Sequence, residues 1–246
     1  MTFSKKIEFI LDTDKKIFKI ENFLNQELYK NIQNNFPITT DDKIKLQGYS
    51  NDKSVLLRDA PEVQGKEYLK ELDNIILSDE FFKFFTNFFF YKASFVQNNY
   101  KRMLKYLRPI KRVYKKDKHG IVNSKIFLNY EYSFIKNNGQ IVPHVDALRK
   151  YQSLMLYFPD PKFDDSNYGT SFWQSEVMNW DNEHLLNKED MRNFKNNNNI
   201  IYQTPFKENC LYGFLRNDYS WHSVEPNDID KEYIRRSINI NFYYTN

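Results

Sequence analysis

The last stretch of the chain, RRSININFYY from Arg235, alternates residue types over most of its length. Arg235, Ser237, Asn239 and Asn241 share one parity, while Ile238, Ile240 and Phe242 share the other with Arg236. Successive side chains of a strand point to opposite faces, so this segment predicts a strand with one polar and one apolar face. The polar face is expected to line the inside of a barrel, and the apolar face to meet a covering layer of helices. The segments before it suit the same architecture. KIFLNYEYSFI leads to a turn-like NNG at 137–139, then come IVPHVD, YQSLMLYFPD, YGTSFWQSE, NIIYQTP and NCLYGFL. Several short strands separated by turns predict a barrel or a sandwich.

The first half reads differently. IFKIENFL at 17–24 alternates like a strand, and Asn25 then stands as an N-cap for a helix bearing Leu28, Ile32 and Phe36, stopped by Pro37. Residues 38–62 show little periodicity and are expected to be an irregular surface segment. A helix is predicted from Glu67 to Leu77, with Tyr68, Leu69, Leu72, Ile75 and Ile76 as its apolar residues. Ser78 caps another, carrying Phe81, Phe82, Phe84, Phe85, Phe88 and Phe89; at this spacing the aromatic stripe is read as core, not as a groove. Between 101 and 118, nine Lys or Arg face a single acid, Asp117. That stretch reads as a solvated edge guarded by lysines more readily than as a landing site for an anionic substrate. The polar segment at 178–199 is expected to hold a short helix from Leu185 to Phe194 and to be a loop that borders the site or lies on the surface.

All 246 residues are expected to form one domain, with a helical lead-in and first strands at 1–123 and the barrel at 124–246. The hydrophobic content of 41% is enough for a substantial core, and a net charge of +4 does not call for a nucleic-acid partner. One cysteine, Cys210, excludes an intramolecular disulfide and suits a reducing compartment. With no long apolar run and an N-terminal segment interrupted by Glu8 and Asp12, the expectation is a cytoplasmic protein with no membrane attachment.

The chemistry is carried by His144-Val-Asp146 and by His222 in SWHSV. Two histidines and a carboxylate suit a non-haem Fe(II) centre that keeps positions open for other ligands. In a strand, residues two apart face the same side, so His144 and Asp146 can reach one metal. His119 and His184 fall in polar stretches where ordinary surface histidines are expected. A zinc hydrolase fits poorly, since neither an HExxH motif nor a Cys/His cluster is present. Thirteen residues past His222, Arg235 offers a planar guanidinium fork that matches a carboxylate. Parity favours Arg235 over Arg236 for an inward role.

In NGQIVPHVD, YQSLMLYF, YGTSFW, SWHSVEP and RRSINI, in that order, the chain resembles the Fe(II)/2-oxoglutarate-dependent dioxygenase superfamily, in its prolyl-hydroxylase-like branch. The resemblance covers about residues 124–244, and IENFLNQELYKNIQNNFP is similar to the helical lead-in of such proteins. It implies a mainly β fold with flanking α: a double-stranded β-helix (jelly-roll, cupin-like) barrel with N-terminal helices on one outer face. It implies His144, Asp146 and His222 as catalytic iron ligands and Arg235, with Ser237 beside it, as the anchor of 2-oxoglutarate. Fe(II), the co-substrates 2-oxoglutarate and O2, and ascorbate as an optional reductant follow from it. So does hydroxylation with release of succinate and CO2. Where this branch often has a co-substrate-contacting Tyr, nine residues before the first His, this chain has Ile135, leaving Tyr132 or Tyr157 to supply that hydrogen bond. A halogenase is disfavoured because Asp146 fills the position that such enzymes leave to halide. The substrate is left open among a small molecule, a sugar and a protein. The rival reading is a catalytically silent barrel serving as a binding or scaffold module.

Overall fold

The computed structural model of the protein describes residues 5–13, 15–38, 53–58, 60–90, 121–123, 126–136, 139–164, 166–179, 188–226 and 233–244. The basic stretch at 101–118, His119, His184 and the start of the helix expected at Leu185 lie outside them, as does most of the segment at 38–52.

Twelve named strands fall into two antiparallel sheets among the described residues. They are β1 (Glu8–Leu11), β2 (Ile17–Ile20), β3 (Lys53–Leu57), β4 (Ile121–Asn123), β5 (Ile126–Ile135), β6 (Ile141–His144), β7 (Lys150–Tyr157), β8 (Ser171–Gln174), β9 (Asn199–Gln203), β10 (Leu211–Leu215), β11 (His222–Val224) and β12 (Arg235–Tyr244). The eight-stranded sheet runs β1-β2-β10-β7-β12-β5-β3, with β4 also on β5, and the four-stranded sheet runs β6-β11-β8-β9. The helices are α1 (Gln26–Asn34), α2 (Glu67–Ile76), α3 (Asp79–Phe90) and α4 (Lys188–Asn197). This is a jelly roll, and its large sheet takes strands from both halves of the chain.

The alternation of β12 sets its two environments. Ile238, Ile240 and Phe242 are fully buried and share one core with Leu128, Tyr130, Tyr132 and Phe134 of β5 and with the lead-in helices. Leu28 and Ile32 of α1, Leu69 and Leu72 of α2, and Phe81 and Phe85 of α3 cover that face. Rings of Phe81 and Phe85 lie 6.3 and 6.0 Å from that of Phe242, so these residues of the aromatic stripe are core, with Phe82 beside them, while the side chains of Phe88 and Phe89 lie outside the description. Each such buried side chain stabilises the fold by roughly 1.5–3 kcal/mol. Gly213 of β10 sits where the sheet packs closely, since an added Cβ would collide with Phe18 and Leu154.

Helix α1 is fixed at both ends. Its cap is the expected one, with Asn25 Oδ1 accepting from the Leu28 backbone N–H at 2.8 Å. Tyr29 stacks on Phe158 at 4.9 Å and donates its hydroxyl to the Tyr157 carbonyl at 3.0 Å. Arg236 lies on the helix side of β12, where it donates to the Gln33 carbonyl at 2.8 Å.

Three expectations about elements are corrected. Residues 53–57, read as irregular, form β3, which pairs with β5 from Lys53↔Ile135 to Leu57↔Glu131. KSVLL has no clean alternation, so its pairing comes from the exposed edge of β5 and not from its own pattern. Strand β2 stops at Ile20, short of the predicted Leu24, and β1 adds a further edge. Helix α4 ends three residues past the predicted Phe194. Its Phe194 packs on Trp221 and Trp173, with ring centroids 4.7 and 5.6 Å away, on the outer face of the small sheet. No helix among the described residues is long and apolar enough to cross a membrane.

Candidate metal centre

The small sheet brings the two histidines together by register. His222 of β11 is the Cα partner of His144 in β6, and both rings point into the space between the sheets, 4.2 Å apart at their centroids. Each ring is oriented by a backbone carbonyl two residues earlier. His144 Nδ1 lies 2.9 Å from the Val142 oxygen, and His222 Nδ1 lies 2.9 Å from the Ser220 oxygen. A carbonyl only accepts, so Nδ1 carries the proton in both rings and Nε2 presents its lone pair. A histidine that ligates a metal through Nε2 is held in the same way, by a carbonyl that accepts from its other ring nitrogen.

Asp146 reaches the same point by another route. Strand β6 ends at His144, so strand parity alone does not place the carboxylate. It is held by three donors: Lys150 Nζ on Oδ1 at 2.7 Å, Ser153 Oγ on Oδ2 at 2.7 Å, and Arg216 Nε on its backbone carbonyl at 3.1 Å. One ligand atom from each of His144, Asp146 and His222 lies within 4.8 Å of the others, and all three residues are buried. Asp146 Oδ2 is 3.8 Å from His222 Nε2.

The electrostatics keep the set in ligating form. Burial alone would raise the Asp146 carboxyl, but the Lys150 ammonium, with His222 and His144, holds it well below the usual carboxylate range. Burial lowers the pKa of His222, outweighing the opposing pull of Asp146. Burial opposes the charge of Lys150 too, yet Asp146 raises its pKa above the ordinary lysine value.

These residues open onto a cavity of about 540 Å³ between the sheets, walled on the large sheet by Lys53, Glu131, Ser133, Arg235, Asn239, Asn241 and Tyr243. Arg235 faces it, as the alternation predicts, and is only 7% exposed. Its guanidinium carbon lies 5.1 Å from the ring centres of both Tyr157 and Phe206, and its Nε donates to the Tyr168 carbonyl at 2.8 Å. Burial lowers its pKa, and among the described residues no carboxylate forms an ion pair with it.

The remaining sequence-named residues divide. Tyr157 lies beneath Arg235, its hydroxyl hydrogen-bonded to Thr170 Oγ1 at 3.0 Å and Thr204 Oγ1 at 2.9 Å. Ser237 has the inward parity, but its hydroxyl is donated to Asn239 Oδ1 at 3.1 Å. Tyr132 is corrected. It pairs in register with Ile238 and sits fully buried against Phe36 on the helix side, so it cannot reach the cavity. Sequence reasoning missed Lys53, Glu131, Lys150, Ser153 and Arg216. Lys150 and Ser153 follow Asp146 by four and seven residues, but nothing in that spacing marks them as carboxylate donors.

No protein-family model matches the sequence, and no curated protein matches it. Solved structures do. A prolyl-4-hydroxylase from Pseudomonas putida is similar with a TM-score of 0.51 at 10% identity, over 94% of this chain and 93% of that one. HygX from Streptomyces hygroscopicus, solved with nickel, 2-oxoglutarate and hygromycin B bound, gives a TM-score of 0.50 at 9% identity, over 94% and 83%. The non-haem α-ketoglutarate-dependent epimerase SnoN from nogalamycin biosynthesis gives 0.51 at 9% identity, over 95% and 82%. The likeness is one of fold.

Proposed function

We propose that the protein is an Fe(II)- and 2-oxoglutarate-dependent oxygenase, in which His144, Asp146 and His222 hold iron and Arg235 anchors the co-substrate. The observation that carries this reading is a pair. Two Nε2 lone pairs and an ionised carboxylate converge at one side of the cavity, and a buried guanidinium without a described carboxylate partner faces it from the other. A charge buried that way is costly unless a counter-ion arrives, and a dicarboxylate is a suitable one. The donor set fits iron: two imidazoles and one carboxylate are the ligand types of the facial arrangement that leaves positions open. That HygX carries nickel and 2-oxoglutarate, and that SnoN is α-ketoglutarate-dependent, supports the same assignment.

Bound iron, with 2-oxoglutarate and O2, would supply oxidation of a substrate C–H bond, with succinate and CO2 as by-products. The chain's own residues do the positioning. The Val142 and Ser220 carbonyls fix both imidazole tautomers, while Lys150 and Ser153 aim the Asp146 carboxylate. The adjoining rings of Tyr157 and Phe206 hold the Arg235 guanidinium against them, so little side-chain entropy is lost when an anion docks.

The test is succinate formation by the iron-loaded protein supplied with 2-oxoglutarate and O2 and no other substrate. Slow turnover that disappears in Asp146→Ala is expected. No turnover, together with no change in metal spectrum on adding 2-oxoglutarate, would favour the silent binding module instead.

A further inference from the structure

The polar face shared by β5 and β12 bears on the substrate. Four of its inward side chains line the cavity: Glu131, Ser133, Asn239 and Asn241. They stand in adjoining rows, since Asn239 is the Cα partner of Glu131 and Ser237 is that of Ser133. Asn241 is also the Cα partner of Ser153 on β7, whose hydroxyl holds the Asp146 carboxylate. The polar wall therefore begins beside the candidate metal ligands.

Much of this wall lacks hydrogen-bond partners. Asn241 is 6% exposed, and its carboxamide has no partner among the described residues. The same holds for the hydroxyl of Ser133, which is buried more deeply still. Glu131 accepts one long bond, from Asn239 Nδ2 at 3.5 Å, and its other carboxylate oxygen accepts none among the described residues. A buried polar group left unpaired is costly, so whatever displaces water from this wall must bring hydrogen-bonding groups of its own.

The side-chain types decide which groups those are. A carboxylate only accepts, whereas a carboxamide and a hydroxyl both donate and accept. The 2-oxoglutarate dianion offers acceptors alone and cannot serve Glu131. An ammonium group donates alone and leaves the Asn241 amide unanswered. A prolyl ring within a peptide is largely apolar and answers neither. Hydroxyl groups answer all three side chains.

We propose that the substrate is a small polyhydroxylated molecule, a sugar or cyclic polyol, whose hydroxyls bond to Glu131, Ser133 and Asn241. The proposal rests on the oxygenase reading. A cavity of about 540 Å³, shared with 2-oxoglutarate, suits a molecule of that size. The hydroxyl held by Asn241 is the one that brings its carbon nearest the candidate metal ligands, because Asn241 adjoins Ser153.

The experiment uses protein loaded with Co(II) and 2-oxoglutarate under nitrogen and reads paramagnetic broadening by fluorine NMR. The probes are monofluorinated hexoses, pentoses and inositols, their fluorinated oxane and cyclohexane counterparts without hydroxyls, and a fluoroproline peptide. At least one hydroxylated probe should broaden about tenfold more than its hydroxyl-free counterpart, the scale of one hydrogen bond to a charged group. Glu131→Leu and Asn241→Leu should each remove most of that preference, while the Co(II) absorption change caused by 2-oxoglutarate survives. Should one variant lose that absorption change, the other decides. Broadening of no hydroxylated probe, equal broadening of the counterparts, stronger broadening of the fluoroproline peptide, or a preference retained in a variant that still responds to 2-oxoglutarate would overturn the proposal. If 2-oxoglutarate leaves the Co(II) spectrum of the wild-type protein unchanged, it is the oxygenase reading that fails.

Discussion

Replacing Arg235 separates its two roles, because the guanidinium is a burden to the protein without 2-oxoglutarate and an anchor with it. It is 7% exposed, with a Tyr168 carbonyl and two aromatic faces around it and no carboxylate among the described residues. Exchanging a buried charged group for an apolar side chain of similar length is often neutral or stabilising, by up to about 1–4 kcal/mol. Arg235→Met should therefore melt no lower than wild type when metal is present and 2-oxoglutarate absent. Losing the charge-assisted pair should weaken 2-oxoglutarate by about 2–5 kcal/mol, at least roughly 30-fold. At a concentration near 100 times the wild-type Kd, binding adds about 2.7 kcal/mol, or roughly 5–11 °C in Tm for a chain of this size. A 30-fold weaker variant under the same conditions gains about 0.9 kcal/mol, or roughly 2–4 °C. Thermal melts of Ni(II)-loaded protein with and without 2-oxoglutarate read both effects, and calorimetry gives the Kd directly. Arg236→Ala, which loses only the bond to the Gln33 carbonyl under α1, should keep the full ligand-induced shift. A full shift in Arg235→Met would refute the assignment, and loss of the shift in Arg236→Ala alone would move the anchor to the other face of β12.

Asp146→Ala removes a candidate metal ligand and also strands Lys150; calorimetry should show divalent-metal binding lost, and denaturant melts a fall of about 3–5 kcal/mol, where an unchanged metal affinity would displace the site. Burial pushes the Cys210 thiol up to about 11, so it should ignore a thiol reagent at pH 8 until the protein is unfolded; rapid labelling of the native protein would contradict the buried placement. Because the folded state favours the protonated thiol, its contribution to stability is complete below the ordinary thiol range and declines as pH rises toward about 11, which stability measurements against a Cys210→Ala control would reveal. Phe194→Ala removes the ring that pins α4 to Trp173 and Trp221 and should cost about 3–5 kcal/mol if α4 unfolds only with the sheet; hydrogen exchange that accelerates in Lys188–Asn197 alone would mean a locally detachable helix.

The fold and the centre of the site were legible wherever the pattern of residues is itself the physical constraint. In β12 every second residue is polar up to Asn241, and a one-residue slip would send Arg235 to the helices and Ile238 into the cavity, so the sequence admits one register. The same rule, applied to β5, would have placed Tyr132 correctly. In NYEYSFI, Glu131 and Ser133 occupy the inward parity, and Tyr130, Tyr132 and Phe134 necessarily take the outward one. What misled was chemical type, a tyrosine hydroxyl wanted near the co-substrate, set above geometry.

Asp146 and Lys53 mark where local pattern stops being informative. His144 sits in β6 and is aimed by strand geometry, but Asp146 lies beyond the strand end, where side-chain direction depends on its partners. Those partners come from β7 and from Arg216, seventy residues away, and no spacing rule links them to it. Lys53 is harder still to read. KSVLL looks like surface, and its lysine is turned inward only because β3 completes the edge of β5 in a register that matches it to Ile135. The metal triad could thus be read along the chain, whereas the wall opposite it arises from pairing between strands nearly eighty residues apart. The candidate metal ligands of this protein are thus encoded locally, and the wall that faces them is encoded through tertiary pairing.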